Sequence, residues 1–163
     1  MVDSSVLEEW RQLEPVLLPF LVRCGCAALC GGMIGLEREL RRKQAGFRTN
    51  ILICVGSAMY MAIGLLLVPA SDVGGFDATR IAAQVVTGIG FLGAGSIIHQ
   101  GDRITGLTTA ATIWVVAAIG LIAGTGFPLL AIVSALLVLA TLGILGTIED
   151  RLFHARYRGS GDS

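Results

Sequence analysis

Five apolar runs, each near twenty residues long, govern what this chain can become. They cover roughly residues 16–36, 51–69, 81–98, 107–124 and 128–148 of a chain of 163. An α-helix needs about 20 apolar residues to cross the ~30 Å hydrocarbon layer of a bilayer. Lipid offers no partner to an open backbone, so only helices and closed barrels span it. A barrel requires alternation at period two, which these runs lack. The expected fold is therefore all-α: a polytopic membrane bundle of about five transmembrane helices over 16–148. Residues 1–15 would form an extracytoplasmic N-terminal segment and 149–163 a cytoplasmic tail. The rival topology has four crossings, with the last two runs as a re-entrant pair.

Hydrophobic residues make up 54% of the chain and charged residues 15%, where soluble domains carry about 25% charged. Net charge is zero and aromatic residues are few, which excludes a basic, aromatic-rich surface for nucleic acid. The first fourteen residues hold Asp3, Glu8, Glu9 and Glu14 against Arg11. A secretory signal begins with positive charge, so targeting is expected from the first membrane helix itself.

The positions of Lys and Arg predict the orientation. Arg38, Arg41, Arg42, Lys43 and Arg48 lie in the first connection, Arg103 in the third, and Arg151, Arg156 and Arg158 in the tail. With five crossings these segments share one side, and the other holds only Arg11 and Arg80. The basic side is expected to be cytoplasmic, with the N-terminus outside and the C-terminus inside.

Polar groups at membrane depth are costly and so are the first candidates for function. Arg23 lies within the first run, where its long stem can snorkel to the interface or its charge can meet a carboxylate. Asp77 and Arg80 stand three apart at the start of the third run, with Gln84 and Thr87 deeper. Asp77 suits a helix N-cap. Together Arg23, Asp77, Arg80, Gln84 and Thr87 form one candidate polar site within the membrane. A second candidate lies on the basic side, where Glu37, Arg48, Thr49, Asn50, Thr108 and Thr109 cluster around two helix starts. Hydroxyl and amide groups at helix N-termini can hold an anion or phosphate head group, and capping by Thr49 or Asn50 explains them as well. Glu37 and Arg41 have the favourable i,i+4 order for an ion pair.

Small residues are spaced for close helix packing. Gly31 and Gly35 lie four apart in the first run, Gly88, Gly90, Gly93 and Gly95 stripe the third, and Gly120 and Gly124 close the fourth. Intrachain packing and a dimer seam both fit these motifs. Cys24, Cys26, Cys30 and Cys54 all lie in apolar surroundings and read as small packing residues. His99 and His154 are isolated. Magnesium would ask for carboxylate oxygens, but Asp72 and Asp77 fall on the opposite side from Glu37. No enzyme chemistry or cofactor is indicated, and the identity of any metal is left open.

Several runs resemble the MgtC/SapB family. They are Gly32-Met-Ile-Gly-Leu-Glu-Arg-Glu39, Ala45-Gly-Phe-Arg-Thr-Asn50, Val55-Gly-Ser-Ala58, the stretch from Asp77 to Gly95, and Gly106-Leu-Thr-Thr-Ala-Ala-Thr-Ile-Trp114. The resemblance covers residues 25–126 in the same order. It implies a bacterial inner-membrane protein linked to growth at low magnesium and to virulence or stress survival. It also implies a non-enzymatic regulator of other membrane proteins, ATP synthase among them in some members. Two departures stand out. Many relatives carry a soluble C-terminal domain, whereas this chain ends soon after the fifth run. Ala78 also stands where the family usually has Pro.

Two functions follow as expectations. One is a regulator working through helix contacts with itself, most simply as a dimer, or with other membrane proteins. The other is a transporter or channel for magnesium or another small solute, which a bundle this thin could form only as an oligomer.

Overall fold

A computed structural model describes residues 4–67, 78–100 and 103–158. Five helices account for most of them: α1 (Ser4–Leu40), α2 (Phe47–Leu66), α3 (Ala78–Gly95), α4 (Leu107–Gly124) and α5 (Pro128–Arg158). Four stretches are long and apolar enough to cross a membrane: Leu13–Leu40, Phe47–Leu66, Leu107–Gly124 and Pro128–Gly146. α3 has 18 residues and is not among those four; Arg80 and Gln84 lower its mean hydropathy. α1 has 37 residues, about 55 Å at 1.5 Å per residue, so it exceeds the hydrocarbon thickness. It runs through Pro15 and Pro19, and membrane helices tolerate such residues.

The polar link between α3 and α4 contains a small antiparallel hairpin. Strand β1 (Ile98–Gln100) pairs with β2 (Arg103–Thr105), placing Ile98 opposite Thr105 and His99 opposite Ile104. Each strand is only three residues long. The polar cluster that marks a break also accommodates this pairing.

Contacts fix how the helices run. Gly31 of α1 meets Asn50 of α2, and Gly35 meets Phe47, so these two are antiparallel. Gly120 of α4 meets Cys54 of α2, and Gly124 meets Ala58, so α2 and α4 are parallel. Cys26 of α1 lies at Pro128 of α5 and Arg41 at Gly143, so those two are parallel as well. Directions therefore alternate along the chain, and α3 must return across the bundle between α2 and α4. α5 lies antiparallel to α4 and has 31 residues, and each of the two contains a stretch long and apolar enough to cross a membrane.

The core lies where α1, α2 and α4 meet. Ala27, Cys30 and Ile34 pack with Ile53, Cys54, Ala58, Val116 and Ile119. Small residues bring the backbones together. A Cβ on Gly31 would fall 2.6 Å from the Asn50 carbonyl oxygen, and one on Gly35 would fall 2.8 Å from Phe47 Cα. On α4, a Cβ at Gly120 would overlap the Cys54 carbonyl, and one at Gly124 would fall 2.5 Å from that of Ala58. Helices in lipid gain little from hydrophobicity toward one another, so such close approach supplies the packing energy.

Candidate functional site

Where α1 ends, α2 and α4 begin, and there buried polar side chains gather. The interior stripe of α1 runs Ala27, Cys30, Ile34 and then reaches Arg38, which is 2% exposed. Its Nη2 donates to Thr109 Oγ1 on α4 at 2.7 Å, tying the end of α1 to the start of α4. Thr109 is itself buried. One turn further along, Thr112 donates its hydroxyl to the Thr108 carbonyl at 2.7 Å. Glu37 lies within 2.6 Å of Arg41 as the sequence spacing predicts, an ion contact off-line for a hydrogen bond. Arg41 in turn donates to the Gly143 carbonyl on α5 at 3.4 Å.

Asn50 is fully buried, and its Nδ2 donates to the carbonyls of Ala45 and Gly46 at 2.9 and 2.8 Å. It braces the turn before α2 rather than capping that helix. The N-cap is Gly46, and the free N–H of Phe47 donates to Glu39 Oε2 at 3.1 Å. α2 thus starts before Thr49 and Asn50, which lie in its first turn. At α4 the N-cap is Gly106 with φ +92°, a left-handed conformation natural to glycine. A Cβ there would also strike the Ser96 carbonyl. Neither start is capped by a side chain of its N-cap residue.

Of the six residues expected on this side, Glu37, Asn50 and Thr109 lie at this junction, while Arg48, Thr49 and Thr108 are exposed. Arg38, Glu39 and the Ala45–Gly46 turn complete the arrangement. Arg38 was legible as the next residue of the α1 interior stripe, but its charge argued against an interior place. Four buried polar atoms lack hydrogen-bond partners among the described residues: Arg38 Nε, Asn50 Oδ1 and both carboxylate oxygens of Glu37, of which Oε1 makes the ion contact with Arg41.

The membrane-depth candidates are dispersed. Arg23 lies at the α4–α5 turn, where a Cβ on Gly126 would be 3.3 Å from its Nη2. Arg80, Gln84 and Thr87 are exposed on the outer side of α3, away from the core. The Thr87 hydroxyl donates to the Ala83 carbonyl at 2.8 Å. Asp77 lies outside the described residues. The glycines divide in the same way. Gly31, Gly35, Gly120 and Gly124 touch neighbouring helices, and Gly93 makes ordinary contact with Ala110. Gly88, Gly90 and Gly95, expected from their spacing to pack, have open space where a Cβ would stand, because α3 turns its other face to α4.

These features define a multi-helix membrane protein with a glycine-tight core, a polar junction at one end and a third helix that packs on α4 by one face and leaves the other exposed. The MgtC family profile matches residues 25–151, and the chain belongs to that family. It is 45% identical over 141 residues to YhiD of Escherichia coli (strain K12), whose name provisionally attributes magnesium transport to it. That alignment covers 85% of this chain and 66% of YhiD. Protein MgtC of Brucella abortus (strain 2308) is 42% identical over 135 residues, covering 82% of this chain and 55% of its own. Protein MgtC of Salmonella typhimurium (strain LT2) is 42% identical over 111 residues, covering 68% and 46%. The chain thus spans only about half to two thirds of these relatives' lengths. No solved structure matches it.

Proposed function

We propose that this chain is a non-enzymatic regulator in the bacterial inner membrane, acting on other membrane proteins by helix contact when magnesium is scarce. The observation that carries this reading is the placement of its polar membrane residues. A carrier needs polar groups lining its interior. Here Arg80, Gln84 and Thr87 look outward, while beyond the Arg38 junction the interior of α1, α2 and α4 is packed mainly by alanine, glycine, cysteine and isoleucine, with Ser57 and Thr112 as small hydroxyl groups among them. Residues turned outward are available to a neighbour in the membrane. The orientation proposed places the Arg38 junction on the cytoplasmic side, following the excess of Lys and Arg there. The names of the relatives support a connection with magnesium, and virulence or stress survival is the setting suggested by the resemblance.

Purified chain in vesicles loaded with a magnesium-sensitive dye tests this reading. The expected magnesium influx equals that of protein-free vesicles. A co-reconstituted target, ATP synthase being the one the resemblance suggests, should change its rate when the chain is added. Saturable influx abolished by Arg80→Ala would instead establish transport and overturn the proposal.

A further inference from the structure

At the start of α4, buried donors and a buried charge gather without an acceptor. The first helical bond there runs from the Ala110 N–H to the Gly106 carbonyl at 2.8 Å. The N–H groups of Leu107, Thr108 and Thr109 come before it and have no acceptor among the described residues. Such groups form the positive end of a helix. Against this end lies Arg38, 2% exposed, whose Nη2 reaches Thr109 Oγ1 at 2.7 Å. Its Nε is buried and has no partner among the described residues. A hydroxyl that accepts from arginine keeps its own hydrogen to give, and no described acceptor takes that of Thr109. A buried donor left unmade is costly, and a buried charge without a counter-charge is more so.

No carboxylate among the described residues pairs with Arg38. Glu37 meets Arg41 at 2.6 Å, and Arg41 is drawn toward α5 by the Gly143 carbonyl, whereas Arg38 turns to α4. Glu39 serves the Phe47 N–H at the start of α2. Asn50 is held against the Ala45–Gly46 turn by its amide, so its unpartnered Oδ1 belongs to the start of α2. The two starts are neighbours, since a Cβ on Gly106 would lie 3.3 Å from Gln44 Oε1. One start thus receives a carboxylate, and the other faces a guanidinium.

We propose that Arg38 and the start of α4 bind one phosphate group, belonging either to an anionic lipid head group or to free phosphate. Arginine and helix N-termini both suit phosphate oxygens, the first by its planar fork and the second by its aligned N–H groups. The depth agrees. The apolar stretches of α1, α2 and α4 end or begin at Leu40, Phe47 and Leu107, which puts the site at the edge of the hydrocarbon. Lipid phosphates stand at that level, and water-borne phosphate reaches it. The site does not depend on whether the protein regulates or transports.

The full chain, purified and stripped of lipid in mild detergent, tests the site with two probes. Inorganic phosphate is titrated against chloride at constant ionic strength, and phosphatidylglycerol against phosphatidylcholine. A ligand held by the folded state raises the unfolding temperature, so saturable stabilisation by at least one probe is expected. A response to phosphate identifies a site open to the free ion, and a response to phosphatidylglycerol alone identifies a lipid head-group site. Arg38→Met should weaken that response at least about tenfold, as should Thr109→Val. Thr109→Ser, which keeps the hydroxyl, should retain it, and Lys43→Gln, at an exposed position of the same end, should leave it unchanged. The Thr109 pair decides the matter if Arg38→Met does not fold. Stabilisation by neither probe overturns the proposal. So does a response that survives Thr109→Val and Arg38→Met, or one that Lys43→Gln abolishes, since that marks general attraction to basic charge. Binding is measured without any target protein, so a failure of the regulatory reading is distinguishable from a failure of this one.

Discussion

Arg38 is the residue whose placement most departs from what its chemistry favours. It is 2% exposed, makes one hydrogen bond to the neutral Thr109, and leaves its Nε without a partner. The adjacent carboxylate of Glu37 is held by Arg41. Charge buried on these terms is poor at stabilising a fold, and replacing it by an apolar side chain of similar volume is often neutral or favourable. Truncation is different because it leaves a cavity, at a cost of about 2–5 kcal/mol for a large buried side chain. Arg38→Met should therefore keep wild-type stability within about 1 kcal/mol or exceed it, and Arg38→Ala should be clearly less stable. Thermal unfolding in mild detergent, followed by the fluorescence of Trp114 and Trp10, measures both. If Arg38→Met unfolds as readily as Arg38→Ala, the guanidinium is structural after all. A stable Arg38→Met that no longer alters its target's rate would mark Arg38 as a working part of the cytoplasmic junction.

Among the elements, glycine separates the helices that hold the core from the one that does not. A Cβ at Gly120 would overlap the Cys54 carbonyl, whereas one at Gly56 on α2 meets nothing within 4 Å. Gly120→Ala should thus destabilise by about 1–3 kcal/mol through overpacking. Gly56→Ala should stabilise by about 0.5–1 kcal/mol, since glycine is unfavourable inside a helix. Denaturation of the two variants side by side checks the sign as well as the size, and equal effects would mean that α2 and α4 do not touch where described. Helices of this kind were readable from the sequence because apolar length is a local property and lipid leaves few alternatives. The Glu37–Arg41 contact was readable for the same reason, being fixed by helical spacing alone. The partner of Arg38 was not, because Thr109 lies 71 residues away and only the packing of α1 on α4 brings them together. Nor was the capping of α2, where a carboxylate eight residues earlier serves Phe47 in place of the hydroxyl or amide inside the helix. The small-residue stripe of α3 was visible, but its direction was not. Periodicity shows that a helix has two faces, and only the neighbours decide which one turns inward.

At the scale of the whole molecule, alternating helix directions and the distribution of charge combine into one topology. α1, α3 and α5 run one way, with α2 and α4 returning between them, so the two ends of the bundle belong to opposite termini. The Arg38 junction, the β1–β2 hairpin and the C-terminal part of α5 then share one end, and Arg23 with the α4–α5 turn lies at the other. Lys and Arg concentrate at the first of these ends, which predicts its retention in the cytoplasm. A reporter fused after Ser163 should accordingly be active only in its cytoplasmic form, and one placed before Met1 only in its exported form. A cysteine at exposed Phe127, in the α4–α5 turn, should react with an impermeant maleimide from outside intact cells, whereas one at exposed Gln44 should react only after permeabilisation. The native cysteines lie within the apolar helices α1 and α2, away from the aqueous label. Matching results at all four positions would establish five crossings with the N-terminus outside. If Phe127→Cys and Gln44→Cys label from the same side, one of α2, α3 and α4 does not cross, α3 being the one outside the four apolar spans, and the alternating arrangement fails. Labelling of Gln44→Cys alone from outside would keep the five crossings but invert them, making charge a poor guide to the orientation of this chain.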